Sequence, residues 1–279
     1  MIDQQSQILA ADNAQTYLQK WQGDAFQNLL DSFHMVVQSK AGVTTHHRVH
    51  TYYLDGVAAT QLLSDSNTKS LRVHLSVNPD TNKFVFLLQG ANNGQTTDFY
   101  RTTAVEDKLD DPQNLGSPIN PNDTIIPYSL AKLYADHWNR CAPSDLISAF
   151  HAPIDIKIGD TTQTIKESQR VRFYVYTSDD TTSLQQIVTN NAGVLKVDRL
   201  FVYMGSGDPN PEYGHPFSFR PILRLIMKPV DDGVNIERLN ISIPPHVKFT
   251  NLEGGGGGAT TMEFARPCPP TCGGGGGGD

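Results

Sequence analysis

Cysteine is scarce in this chain, with three residues in 279, and an odd count of that size excludes a disulfide framework for the body of the fold. Cys141 stands alone in the body, while Cys268 and Cys272 lie near the C-terminal end. Basic charge is short as well. Against 29 Asp and Glu there are 22 Lys and Arg, giving a formal net charge of −7. The basic residues are scattered, which excludes a phosphate-tracking surface, because nucleic-acid affinity rests on clustered cations. No apolar run approaches the roughly 18 residues that a membrane-spanning helix needs. The opening MIDQQSQILAADNAQ has neither the basic start nor the apolar stretch of a secretory signal. These absences together make a soluble cytoplasmic protein the expectation, with no nucleic-acid partner and no transmembrane segment.

The short motifs that announce common chemistries are missing too. The sequence contains no G-x-x-x-x-G-K-[ST], no G-x-G-x-x-G after a strand, no G-x-S-x-G and no EF-hand loop, which removes the usual nucleotide, α/β-hydrolase and calcium sites. The glycine runs at 254–258 and 273–278 are homopolymeric and precede no helix, so they read as flexible spacers. No cofactor is expected.

What is present is an internal repeat. Residues 14–37 align without a gap on 131–154, with Ala14, Tyr17, Trp21, Ala25, Leu29, Phe33 and His34 recurring as Ala131, Tyr134, Trp138, Ala142, Leu146, Phe150 and His151. The only two tryptophans of the chain, 117 residues apart, fall in register. Further on, RVHTYY (48–53) matches RVRFYV (170–175), and QLLSDSNTKSLRVHLSV (61–77) resembles QIVTNNAGVLKVDRLFVYM (186–204). The expected organisation is a first repeat over 1–100, a proline-rich linker over 101–128, a second repeat over 129–250 and a glycine-rich disordered tail over 251–279.

Within each repeat the apolar period changes from helical to alternating. Tyr17 and Trp21, like Tyr134 and Trp138, sit at i and i+4 on one helix face, the spacing of a core stripe. Asp24 to Ser32 and Pro143 to Ala149 read as second short helices, the latter with proline in its first turn, where a missing N–H costs least. HMVVQSK, HRVHTYYL, SLRVHLSV and KFVFLLQG read as strands, as do PIDIKIGD, RVRFYVYT, DRLFVYMG and ILRLIMKP, all rich in β-branched and aromatic residues. GVAATQLL and DTTSLQQIV read as helices between strands, the second capped by Ser178 or Asp179. VNPDTNK (77–83) is a hairpin connection. The fold class is therefore α+β, two tandem ααββαββ repeats with mostly antiparallel sheets in a pseudo-twofold arrangement.

Four sets of residues are candidates for function. The segment GSGDPNPEYGHPFSFRP (205–221) breaks the internal symmetry and carries Tyr213, His215, Phe217, Phe219 and Arg220, which makes it a ligand-binding candidate. His34 and His151 recur in both repeats, either as a symmetric pair able to meet across the axis or as caps at helix C-termini. His46, His47 and His50 lie in a strand, where His46 and His50 stand roughly 13 Å apart along the chain and share no ion. Cys268-Pro-Pro-Thr-Cys272 gives at most half of a metal site, or a local disulfide. Cys141, four residues after His137, is read as a buried structural cysteine.

The paired aromatic helix, the Phe-His at the end of the second helix, the helix leading into LRVHLSV or DRLFVYM, and the Cys-Pro-Pro-x-Cys-Gly tail resemble a family of duplicated proteins of Bacteroidota-type bacteria. The resemblance implies a bacterial duplicated α+β protein. It brings no activity, cofactor or catalytic residue with it. The functional expectation is a non-enzymatic binding or structural module, taking a protein or small ligand in the groove between repeats or at the 205–221 loop. The alternative is a hydrolase or transferase with a histidine-containing site at the repeat interface.

Overall fold

The computed structural model describes residues 7–38, 42, 44–105, 136–157, 164–207, 218–231, 250–251, 258–262 and 266–268. The N-terminal half contributes β1 (Ile8–Leu9), α1 (Ala11–Gly23), α2 (Phe26–Leu29) continuing into a 3-10 turn (Leu30–Phe33), β2 (His34–Gln38), β3 (Thr44–Arg48), β4 (Thr51–Asp55), α3 (Gly56–Ser64), β5 (Ser70–Val77), β6 (Phe84–Asn92), β7 (Gln95–Thr96), β8 (Phe99–Arg101) and β9 (Thr103–Val105). The C-terminal half contributes α4 over 136–140, α5 (Pro143–Ala149), β10 (His151–Lys157), β11 (Thr164–Arg170), β12 (Phe173–Tyr176), α6 (Ser178–Asn190), β13 (Leu195–Gly207), β14 (Ser218–Pro229), β15 (Thr250–Asn251), β16 (Gly258–Met262) and β17 (Arg266–Cys268). The architecture is α+β, and the strand pairings among the described residues are antiparallel.

Two large sheets carry the fold. A seven-stranded sheet has the order β1-β8-β6-β5-β12-β17, with β7 on β6, and a six-stranded sheet has the order β15-β16-β14-β13-β4-β9. Each sheet borrows strands from the other half. β12 and β17 of the C-terminal half extend the sheet of β5, β6 and β8, while β4 and β9 of the N-terminal half extend the sheet of β13, β14 and β16. β2–β3 and β10–β11 are separate two-stranded ribbons.

One hydrophobic cluster joins the inner faces of both sheets. It holds Leu71, Val73 and Leu75 from β5, Leu200, Val202 and Met204 from β13, and both tryptophans, all buried. The two halves thus share a core. On the outer face of the seven-stranded sheet, Ala14 and Tyr17 of α1 cover Val85, Leu87 and Phe99 in a second cluster. That double coverage explains why β6 is apolar along nearly its whole length rather than alternating.

Local chemistry accounts for the turns. In the β5–β6 connection the Asn78 side chain accepts from Asp80 N–H at 2.9 Å, an Asx turn, and Asn82 takes the left-handed conformation at φ 55°. Asn93-Gly94, both at positive φ, make the two-residue turn between β6 and β7 that this dipeptide favours. At the start of α6, the Thr177 N–H and hydroxyl both donate to the Asp180 carboxylate, at 3.1 and 2.7 Å. Thr177, rather than Ser178 or Asp179, is therefore the cap.

Several expected elements differ. HRVHTYYL and RVRFYVYT are each divided, the first into β3 and β4 and the second into β11 and β12, because a two-residue step interrupts the ladder. At that step Val49 N–H donates to Phe33 O at 2.7 Å and Val171 N–H donates to Phe150 O at 2.8 Å. A third strand, β4 or β12, therefore stands before α3 and before α6, where the ααββαββ reading expected two. The helix expected from Asp24 begins at Phe26 and tightens into a 3-10 turn. The expected boundary at residue 100 falls inside β8. Within 251–279, expected to be a disordered tail, the described residues 258–262 and 266–268 form β16 and β17, which pair with β14 and β12; most of the rest lies outside the described residues. Most of the 101–128 linker lies outside the described residues.

Candidate functional site

Four of the residues that recur along the chain, Trp21, Phe33, Trp138 and Phe150, converge on one joint. Phe33 and Phe150, at the ends of their short helical segments, stack with ring planes 1° apart and centroids 5.5 Å apart. Phe84 lies 4.9 Å from Phe33 at 36°, and Phe219 lies 4.6 Å from Phe150 at 37°. The tryptophans close the cluster edge-on, Trp21 at 5.3 Å from Phe150 and Trp138 at 5.5 Å from Phe33. Edge-to-face and offset pairs at these distances are favourable beyond simple area burial.

Each tryptophan is held by the opposite half. The Trp21 indole Nε1–H donates to Val171 O at 2.9 Å, and Trp138 Nε1–H donates to Val49 O at 3.1 Å. The residue before each valine is an arginine that completes the clasp. Arg48 donates from one guanidinium nitrogen to Trp138 O and Cys141 O, both at 2.8 Å. Arg170 donates in the same way to Trp21 O and, at 2.8 Å, to Asp24 O. Both guanidinium carbons stand 5.6 Å from the centroid of the tryptophan they serve, within cation–π range. Burial lowers the pKa of both arginines, opposed at Arg48 by Cys141 and at Arg170 by Asp24.

The histidine pair frames this joint without being used alike. His34 Nδ1–H donates to Leu30 O at 3.1 Å, bonding one of the unpaired carbonyls of a helical end. Its own carbonyl accepts from Lys83 Nζ at 2.8 Å. His151 opens β10, and its ring lies 6.1 Å from that of Phe26. Each histidine is directly opposite an arginine in its own ribbon, His34 against Arg48 and His151 against Arg170.

The other candidates are dispersed. Phe219 is 3% exposed and belongs to the aromatic core, so it is a packing residue and not part of an open ligand surface. Phe219 lies against Phe150 as Phe84 lies against Phe33. Arg220 lies on β14 with its Cα opposite Gly205. Both ends of the 205–221 segment continue as β13 and β14; Tyr213, His215 and Phe217 lie outside the described residues. Cys268 ends β17 opposite Phe173, and Cys272 lies outside the described residues. Cys141 is buried, at 3% exposure. His46 and His47 are on strand β3 and exposed. Among the described residues, no three His, Cys, Asp or Glu side chains are grouped to hold a metal ion, and no helix is long and apolar enough to cross a membrane.

Two features escaped the sequence reading. Arg48 and Arg170 open the matched RV pairs of RVHTYY and RVRFYV, so the signal was present in the alignment. His74 carried no such signal. It is 7% exposed on the outer face of β5, with its ring 5.3 Å from Phe99 and 4.9 Å from Phe173. It shares a side-chain hydrogen bond with Gln89, and burial, with Arg72 and Arg172 adding to it, pushes its pKa down to about 3. Gln89 is itself oriented by donating to Thr97 O at 3.0 Å. The chain matches no family model, no curated protein and no solved structure.

Proposed function

We propose that the chain is a fused tandem duplication, a pseudo-twofold dimer in one polypeptide, acting as a non-enzymatic binding or structural module. The observation that carries this reading is the reciprocal clasp, in which Arg48-Val49 serves Trp138 and Arg170-Val171 serves Trp21. The recurring aromatic and arginine residues are spent on closing the joint between halves. A module built this way binds its partner, a protein or small ligand, through what the halves do not share, which is the 205–221 segment. The aromatic cluster fills the axis where a binding groove between repeats was expected. His34, capping a helical end through Nδ1, fits a structural role better than a catalytic one.

A paired assay tests this. Hydrolysis of generic esters, amides and phosphoesters is measured on the wild type and on a His34→Gln/His151→Gln variant. The binding reading expects no turnover from either protein. Turnover lost in the variant while the fold persists favours a hydrolase. Replacing 208–217 with a short Gly-Ser turn is expected to leave thermal unfolding unchanged and to abolish capture of the cognate partner.

A further inference from the structure

We infer that His74 is an acid-sensitive latch on the seam where β12 of the C-terminal half is held in the sheet of the N-terminal half. The placement carries the argument. His74 is directly opposite Phe173 across the β5–β12 pairing, and the hydrogen bond from Leu75 N–H to Arg172 O, 3.0 Å, adjoins it. The imidazole is held between Phe173 of one half and Phe99 of the other. Its Nε2 is buried with no hydrogen-bond partner among the described residues, and the side-chain hydrogen bond with Gln89 is the one contact that favours the charged form.

A neutral ring fits this site and a charged one does not. Protonation would place an N–H donor at Nε2 where no acceptor stands among the described residues, at the desolvation cost of an unpaired charged group. The surrounding charges make it worse. Arg72, on the same strand, has its guanidinium carbon 5.3 Å from the Phe173 ring centroid, and both Arg72 and Arg172 act on the imidazole as like charges. β6 faces it with neutral Leu87 and Gln89, and β8 with Phe99. On α1 the ionisable Tyr17 is tied through its hydroxyl to Arg101 at 3.0 Å. No carboxylate is among the groups that act on His74.

The direction with pH follows from linkage. The group is neutral when folded down to about pH 3 but takes a proton at its ordinary 6.5 once exposed. Stability is whole above pH 6.5 and falls as pH drops toward 3, because the open state binds the extra proton. Between pH 7 and pH 5 the opening equilibrium of the seam rises about 25-fold from this group alone.

Native-state hydrogen exchange on the full chain, corrected for intrinsic rates, reads the opening directly at the β5 and β12 amides. In the wild type their protection is expected to fall about 25-fold from pH 7 to pH 5. In His74→Leu, which cannot take a proton, that fall is lost. The idea is overturned if wild-type protection is flat over this range, or if His74→Leu keeps the same fall. Should that variant not fold, NMR of ring-labelled wild-type His74 decides the matter. An imidazole titrating in the folded protein near 6.5 contradicts the latch, and one staying neutral until the seam opens supports it.

Discussion

Trp21 and Val171, 150 positions apart, are joined by a 2.9 Å hydrogen bond from the indole to the carbonyl. Trp138 and Val49 repeat it at 3.1 Å in the opposite sense. The halves of this chain hold each other's largest fully buried side chains, so neither closes its core alone.

Removing the indole N–H tests that interdependence. Trp138→Phe takes the indole donor from the Val49 carbonyl, a loss of about 1–3 kcal/mol beside the smaller loss of volume. Trp21→Phe is expected to cost less, because Gln22 Nε2–H also donates to Val171 O, at 3.4 Å. Urea unfolding followed by circular dichroism and by the fluorescence of the remaining tryptophan is expected to show one coincident transition in each variant. Two separated transitions would mean that the halves are independent domains.

The arginine clasps are predicted to tolerate lysine poorly. One guanidinium nitrogen of Arg48 reaches two carbonyls while the plane lies over Trp138, a geometry a compact ammonium does not reproduce. Arg48→Lys and Arg170→Lys are each expected to cost roughly 1.5–3 kcal/mol, the range for hydrogen bonds to charged groups. Equal stability of the lysine variants in denaturant titrations would assign the arginines to the surface.

Much of this was legible in the sequence, and the rest was not for identifiable reasons. The Tyr17/Trp21 stripe, the buried Cys141 and the helix Pro143–Ala149 follow from local periodicity and from proline's tolerance of a first turn. The exchange of β4 and β12 between sheets was invisible, because strands of either half satisfy the same ladder equally well and only the tertiary core chooses. Phe219 was read as part of a ligand-binding loop because Gly and Pro crowd 205–216, yet strand β14 starts at Ser218 and carries the ring inward. His74 looked like one more alternating strand residue. Its outer face is buried because α1 and Phe173 converge there, and neither is near it in sequence.

Glycine 56 offers a steric test of the joint. A Cβ at Gly56 would stand 2.2 Å from Val197 O, backbone that cannot swing away, where α3 meets the register shift between Val197 and Arg199 in β13. Gly56→Ala is expected to destabilise the protein by about 1–3 kcal/mol. Gly23→Ala, where a Cβ meets nothing within 4 Å, is expected to be neutral or stabilising by up to about 1 kcal/mol. Thermal melts of the two variants side by side distinguish close packing from a general intolerance of alanine.

Phe219 is expected to behave as core. Phe219→Ala removes a ring in contact with Phe150, Trp138, Tyr174 and Phe86 and should cost about 3–5 kcal/mol in chemical denaturation. A variant of undiminished stability would return Phe219 to the list of surface candidates.

The exchanged pairing of strands is the claim on which the account rests, and inter-strand nuclear Overhauser contacts measure it directly. Val73 is opposite Tyr174 in the seven-stranded sheet, and Val202 is opposite Tyr52 in the six-stranded one. Backbone cross-peaks between β5 and β12 and between β13 and β4 are the predicted result. Cross-peaks pairing β5 with β4 and β13 with β12, each half keeping its own strands, would contradict it.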